Sequence, residues 1–211
     1  MKAQRLLLWT IFFTLIIWVF KWDGLGKWMY PISYIDEIRT FSQASDVDPF
    51  LVAAIIRVES NFRTGLTSSK GAKGVMQIMP DTATWMIKKH GIKVGTDLND
   101  LQVPQKNIEV GTTYLKYLMT QFPNNDALLL AAYNAGQGTV RKWIVSGVWD
   151  GTYAHVEQIP YSETRHYVKR VLFFKEQYQT VYRDTFSSLA QIQTKETGAV
   201  SPKRNYTRIY F

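Results

Sequence analysis

No cysteine occurs among the 211 residues, which rules out disulfide bonds, thiolate metal ligation and a cysteine nucleophile. A domain of this composition outside the cytoplasm must therefore hold together by core packing alone. Histidine is scarce as well: His90, His155 and His166 share no helical pair spacing, and no third ligand stands near them in sequence. No metal site and no cofactor is expected on that basis. The glycine-rich stretch 65 to 74, GLTSSKGAKG, lacks the Gly-Lys-Ser/Thr ending of a phosphate loop. Dense basic runs are also missing. The 25 Lys and Arg against 17 Asp and Glu give a net charge of +8, but they are scattered from Arg39 to Arg183. Such a spread gives diffuse attraction to anionic polymers or lipid headgroups and argues against a nucleic-acid surface. No internal repeat recurs at a fixed period.

What is present is a chain long enough for one domain with a sizeable core and a short appendage at each end. Its 46% hydrophobic and 20% charged residues are ordinary for a globular protein. Seven Trp, 12 Tyr and 11 Phe make it aromatic-rich, as expected of a core or of a surface on which sugar rings stack. Near the N-terminus, Lys2 and Arg5 precede an apolar run over residues 6 to 20, broken only by Thr10 and Thr14. As a helix the run spans roughly 22 Å, short of a ~30 Å hydrocarbon core. Trp9, Trp18, Trp22 and Trp28 suit the interface and Lys21 can snorkel, so a short span still works. A cleaved signal peptide is the competing reading, but its one candidate site, residues 24 to 26, is crowded by Trp22 and Asp23. An uncleaved single-pass anchor with the rest of the chain on the extracytoplasmic side is the favoured expectation.

Three segments follow: an anchor and linker over residues 1 to 30, a catalytic domain over 31 to 185, and a basic, loosely ordered tail over 186 to 211. Residues 21 to 31 read as the linker. Beyond them the period is helical almost throughout. Ile35, Ile38 and Phe41 mark one amphipathic helix. Asp48-Pro49 is a helix start, with Asp as cap and Pro in the first turn, and the helix that follows is strongly apolar. Asp81 is expected to cap a helix ending at Gly91, and Pro104 to open another. Asp126 precedes a helix that ends at Gly136, and residues 138 to 145 form a short one. Ser162 is expected to cap the last. Residues 63 to 79 read as a loop.

Four stretches carry polar side chains in places where packing alone does not ask for them. The first is Glu59 in ESNF, residues 59 to 62. A lone glutamate at a helix end is ordinarily a solvated residue. Here Leu51, Ile55 and Val58 make an apolar stripe, and Val52 and Ile56 extend it beside Glu59. The carboxyl thus sits at the edge of the core and near a helix C-terminus, and both placements favour its protonated form. An unperturbed Glu is only about 0.2% protonated at pH 7, whereas a pKa near 6.5 makes that about a quarter. The second stretch is GVMQIMP, residues 74 to 80. Met76 and Met79 read most simply as core filler, while the Gln77 amide needs partners if buried. The third is AAYNAG, residues 131 to 136, whose small residues allow close helix packing beside Tyr133 and Asn134. The last, residues 159 to 171, places Glu163 and Arg165 in a first turn, where an acid complements the helix dipole.

In this order the four stretches resemble the motifs of the lysozyme-like catalytic domain of soluble lytic transglycosylases. The resemblance covers about residues 34 to 180, and the Glu59 to Gln77 separation fits it. It implies a mainly α, lysozyme-like (goose-type) domain with a glycan-binding cleft, here behind a single N-terminal transmembrane helix. It also implies that Glu59 is the catalytic acid/base and that Ser68 bonds the N-acetyl group of the muramyl sugar. Gln77 and Met79 would line the groove, with Val75 where the family often has Leu. Tyr133 would orient the glutamate or the sugar, Asn134 support the cleft, and Glu163 contact glycan. Ser69 is the alternative to Ser68. The implied partner is the peptidoglycan glycan strand, cut between its sugars without water to leave 1,6-anhydro-muramic ends. Two other readings remain open: a lysozyme-type hydrolase, which a second acid near Glu59 would favour, and a non-catalytic glycan-binding envelope module.

Overall fold

A computed structural model of the chain describes residues 4–5, 9–14, 23–91 and 98–186. Its described α-helices include α1 (Asp23–Met29), α2 (Ile35–Ser45), α3 (Pro49–Glu59), α4 (Pro80–His90), α5 (Pro104–Gln121), α6 (Asp126–Ala135), α7 (Gln137–Val145) and α8 (Ser162–Val181). Two 3₁₀ turns, Leu98–Gln102 and Tyr153–Gln158, lie between them. Extended structure among the described residues is limited to two bridges in the loop after α3, Thr67 with Lys73 and Lys73 with Ile78. The expected mainly α architecture is the observed one.

The centre of the fold is α3. Residues Leu51, Val52, Ala53, Ala54, Ile55 and Ile56 are all buried, so this helix is apolar around its whole circumference. It lies against α8, the longest helix, which also packs on α6. On its other side α2 joins α3 to α5, and α4 flanks α5. Asp48 caps α3 as expected, its carboxylate accepting the Phe50 N–H at 2.9 Å. That carboxylate has a second role. Lys175 of α8 reaches Asp48 at 3.4 Å and Asp126, in the first turn of α6, at 2.6 Å. One cation therefore joins the N-terminal ends of two helices to a third. Burial disfavours the charge on Lys175, but the two aspartates outweigh it and raise its pKa.

Several expectations are corrected at the helix ends. Asp81 does not cap α4: the cap position is Met79, and Asp81 sits in the first turn beside Pro80. Gly91 does end the helix, in the left-handed conformation at φ 63°. Ser162 is likewise the first residue of α8, not its cap, which is Tyr161. Asn125 caps α6 through its side chain, accepting the Leu128 N–H at 2.9 Å. The expected linker over 21 to 31 is helical from Asp23 to Met29. Gly26 lets this helix lie close to α8, where a β-carbon would stand 3.0 Å from Val181 Cγ2. The apolar run over 6 to 20 lies largely outside the described residues. Its described part, 9 to 14, is helical and exposed, and no helix among the described residues is long and apolar enough to cross a membrane. The expected tail lies outside the described residues from 187 onward; Phe186 packs edge-on against Phe50.

The loop between α3 and α4 is held from α5 by Asn107, a fully buried side chain. Its amide donates to the Lys73 and Leu101 carbonyls, both at 2.9 Å, and its oxygen accepts the Met76 N–H at 2.7 Å. Two glycines let the loop come this close. A β-carbon on Gly74, at φ 75°, would stand 2.1 Å from the Leu101 carbonyl, and one on Gly111 would meet Met76 Sδ at 2.3 Å. Replacing Asn107 with Ala leaves the buried Met76 N–H and Leu101 carbonyl without a partner, while the Lys73 carbonyl keeps the Ile78 N–H at 2.9 Å. The expected loss is about 3 to 5 kcal/mol in urea unfolding. A loss under about 1 kcal/mol would mean the loop is held by other contacts.

Candidate active site

Glu59 closes α3, and the chain turns sharply beyond it. Asn61 and Phe62 both take left-handed backbone conformations, at φ 53° and 60°. Two such non-glycine residues in succession cost on the order of 1 kcal/mol or more each. The turn is held by the Arg57 side chain on the Asn61 amide oxygen and by the Tyr34 hydroxyl, which donates to the Phe62 carbonyl at 3.3 Å. The Phe62 ring is buried in the core, and Ser60 is buried with its hydroxyl on the Ile56 carbonyl at 3.1 Å. This turn leads the chain off α3 directly after the glutamate.

The Glu59 residue keeps partial contact with solvent, yet enough protein surrounds its carboxyl to push the pKa up to about 7. Burial is the largest cause. The Tyr167 hydroxyl opposes it by favouring the carboxylate, the nearby charge of Glu163 adds to it, and Arg170 opposes it. Tyr167 is buried on α8, and its hydroxyl has no partner at full hydrogen-bond geometry. The acceptor that its hydroxyl approaches is Glu59, so a small adjustment completes that bond.

Tyr133 stands behind Tyr167, the two rings nearly parallel at 4° with centroids 6.4 Å apart. Its hydroxyl donates to the Met76 carbonyl at 2.8 Å, so the loop is held at Met76 from two sides, by Asn107 and by Tyr133. Burial raises the Tyr133 pKa well above its usual value, and the Glu59 charge adds to the effect. Tyr133 is thus a hydrogen-bond donor, not a base. The rings continue outward through Tyr114 (5.6 Å from Tyr133) and Tyr117 to Trp85, whose edge meets Tyr117 at 4.6 Å.

The other expected site residues fall around this group. Gln77 follows Met76 at φ 47°, and its amide donates to the Gly74 carbonyl at 2.8 Å. The partners required of that amide are therefore the loop's own carbonyls. Ser68 is half-buried, and its hydroxyl oxygen accepts the Ala72 N–H at 3.0 Å, leaving its proton to donate elsewhere; Ser69 is exposed. Met79, at the end of the loop, is 40% exposed despite its apolar side chain, so it is not core filler. Met76, fully buried, is. Asn134 accepts a hydrogen bond from Thr164 at 2.7 Å and so ties α6 to α8. Glu163 is exposed and pairs with Lys70 of the loop at 3.5 Å. Electrostatic interactions thus couple Glu59 to Tyr133 and to Glu163, and Gln77 joins them through its neighbour Met76, which Tyr133 holds. Asn134 links to them only through α8.

Sequence reasoning gave no role to Tyr167 or Asn107. Tyr167 was legible in one respect: it lies four residues after Glu163 and so shares a helix face with it. Asn107, within a run of good helix formers, carried no such signal. Among the described residues no group of three His, Cys, Asp or Glu side chains is arranged to hold a metal ion.

Comparison with known proteins gives a consistent result. Residues 36–155 match the Transglycosylase SLT domain, and residues 158–190 match the Soluble lytic transglycosylase helical domain. The Soluble lytic murein transglycosylase of Escherichia coli K12 is 41% identical over 160 residues, covering 75% of this chain and 24% of that protein. The Membrane-bound lytic murein transglycosylase C of Edwardsiella ictaluri is 34% identical over 115 residues, 51% of this chain and 32% of the relative. The crystal structure of the 70 kDa soluble lytic transglycosylase of E. coli superposes with a TM-score of 0.69 at 38% identity, covering 74% of this chain and 25% of that one. The chain spans about a quarter of the length of the E. coli relative it matches.

The electrostatics of the carboxyl can be measured directly. A carbon-detected titration of labelled Glu59 should show a midpoint near 7. Tyr167→Phe removes a donor to the carboxylate and should move it up by roughly half a unit to one unit. Glu163→Gln removes a like charge and should move it down. A midpoint near 4.5 in the wild type would show that burial does not govern this group.

Proposed function

The chain belongs to the Transglycosylase SLT domain family, and from that premise we propose that it is a peptidoglycan lytic transglycosylase with Glu59 as its single acid/base. It would cut the β-1,4 bond between MurNAc and GlcNAc without water and leave 1,6-anhydro-MurNAc ends. The observation that carries this reading is the Glu59 carboxyl, whose pKa near 7 lets one group act as acid and then as base at neutral pH.

In the first step the Glu59 proton goes to the glycosidic oxygen as that bond breaks, and the acetamido oxygen of the same sugar bonds to the anomeric carbon. In the second, the Glu59 carboxylate takes the proton of the muramyl 6-hydroxyl. The 6-oxygen then replaces the acetamido oxygen at the anomeric carbon, closing the anhydro ring and restoring the acid. Tyr167, by donating to the carboxylate, would favour the form needed for the second step. Ser68 would orient the acetamido group with its free proton, while Gln77 and Met79 line the groove, Asn134 supports it and Glu163 contacts glycan. A hydrolase is the second reading, because Glu163 is an acid whose charge reaches Glu59. Its exposure and its pairing with Lys70 weigh against a role as base or nucleophile. For location we propose an uncleaved membrane anchor over residues 6 to 20, with the catalytic domain on the extracytoplasmic side. Lys2 and Arg5 ahead of the run support this, as does the relative described as membrane-bound.

Glu59→Gln keeps the shape of the side chain but cannot exchange the proton. Activity on purified peptidoglycan should fall by about two to four orders of magnitude. Wild-type fragments, read by mass spectrometry, should be lighter by one water than hydrolytic products. Reducing-end MurNAc as the main product would establish the hydrolase. The same variant changes stability in a pH-dependent way. Because the folded-state pKa is raised, the wild type binds more protons folded than unfolded between pH 4.5 and about 7, and it loses stability as pH rises through that window. Glu59→Gln removes the penalty, so above pH 7 it should be more stable than the wild type by about 3 kcal/mol.

Ser68→Ala should lower turnover by on the order of tenfold to a hundredfold through loss of one transition-state hydrogen bond. An unaltered rate, with Ser69→Ala impaired instead, would move the assignment by one residue.

A further inference from the structure

The membrane reading concerns the N-terminal run alone; the described domain has a surface that extends it. The exposed large apolar side chains include Trp28 at 78%, Met29 at 50% and Phe173 at 49%. They belong to two helices that run side by side. Gly26 of α1 abuts Val181 of α8, and Tyr30, just past α1, meets Phe174 of α8 with ring centroids 6.4 Å apart. Phe174 in turn meets Phe173 at 5.4 Å. The path from Gly26 to Tyr30 therefore follows α8 back from Val181 to Phe174, and the exposed side chains lie along it. Two cations stand on the rings of this region: Lys27 lies over Tyr182 at 5.8 Å and Arg57 over Phe174 at 5.3 Å. Aromatic rings beside snorkelling cations match the headgroup zone of a bilayer, where apolar bodies and charged tips are both accommodated.

We propose that α1 and the C-terminal half of α8 form a face that rests in the lipid interface, with Trp28, Met29 and Phe173 among the headgroups. The proposal rests on the anchor reading, and chain length supports it. From Phe20, the end of the apolar run, to the start of α1 is three residue steps, about 10 Å at most, and Trp28 is five helical steps further, about 8 Å. Trp28 is thus held within about 18 Å of the end of the run, a tether too short to lift this face far from a bilayer. The domain would be fixed in orientation and not free on a flexible leash. The far end of α8 would point away from this contact. There Tyr161 meets Trp143 of α7 at 5.1 Å, and the neighbouring Val145 is 88% exposed.

The absence of native cysteine makes a direct test available. The full chain carrying Met29→Cys, Phe173→Cys or, as a control, Val145→Cys is labelled with an environment-sensitive fluorophore. It is then reconstituted in phosphatidylethanolamine and phosphatidylglycerol vesicles. Labels at 29 and 173 should be quenched several-fold more by headgroup spin-labelled lipid than the label at 145, which iodide in the buffer should quench instead. Equal iodide quenching at all three sites, in protein that still floats with the vesicles, would overturn the proposal and leave the anchor intact. Shielding of 29 and 173 from both quenchers would overturn it in favour of a protein occupant, such as residues 187 to 211. Protein that does not float with the vesicles would remove the anchor reading, and this inference with it.

Discussion

Burial of α3 is the constraint on which the site depends. A helix enclosed on all sides cannot shift or rotate without breaking the core. Its last residue is therefore delivered to one place, against the buried face of α8. There Glu59 pays for its position in lost hydration, and its pKa is accordingly raised to about 7. The rest of the site moderates this cost without cancelling it. Tyr167 and Arg170 favour the charged form, Glu163 disfavours it, and the balance leaves the carboxyl close to half protonated at neutral pH. A fully solvated glutamate would be almost always charged there, and a fully sequestered one almost never.

The loop over residues 63 to 79 is tied to the side chains around this carboxyl at Met76. The Met76 N–H goes to Asn107, its carbonyl to Tyr133, and its thioether fits over the missing side chain of Gly111. Two helices, α5 and α6, thus meet the loop at one residue. Gln77 turns through a left-handed conformation immediately afterwards, and its amide closes back on the loop at Gly74. The polar groups here are rigid because their partners are buried backbone groups that have no water to turn to. This is how a segment with almost no regular structure presents fixed side chains.

The proposed lipid-facing surface lies along the same long helix as the site. Tyr167 and Phe173 are six residues apart on α8, about 9 Å along its axis. One is buried and the other exposed. A helix that orients the domain on a surface would therefore also orient the carboxyl.

Helix periods, the Asp48 cap, the opening prolines and the apolar character of α3 were legible from the residues, because each depends on neighbours a few positions away. The unusual position of Glu59 was legible for the same reason: the apolar stripe beside it and the helix end beneath it are local facts. Local reasoning failed where a distant partner decides. Asp81 and Ser162 look like caps, but the first helix starts two positions earlier, at Pro80, and the second one position earlier, with Tyr161 as its cap. Residues 23 to 29 look like a linker because of their two glycines, yet Gly26 is what lets α1 pack on Val181. The sequence by itself determined a helical domain and a carboxyl biased toward its acid form. The tertiary structure alone decided which side chains surround that carboxyl, because Tyr133, Tyr167 and Glu163 reach it from helices 74 or more residues further along the chain, and only packing brings them there.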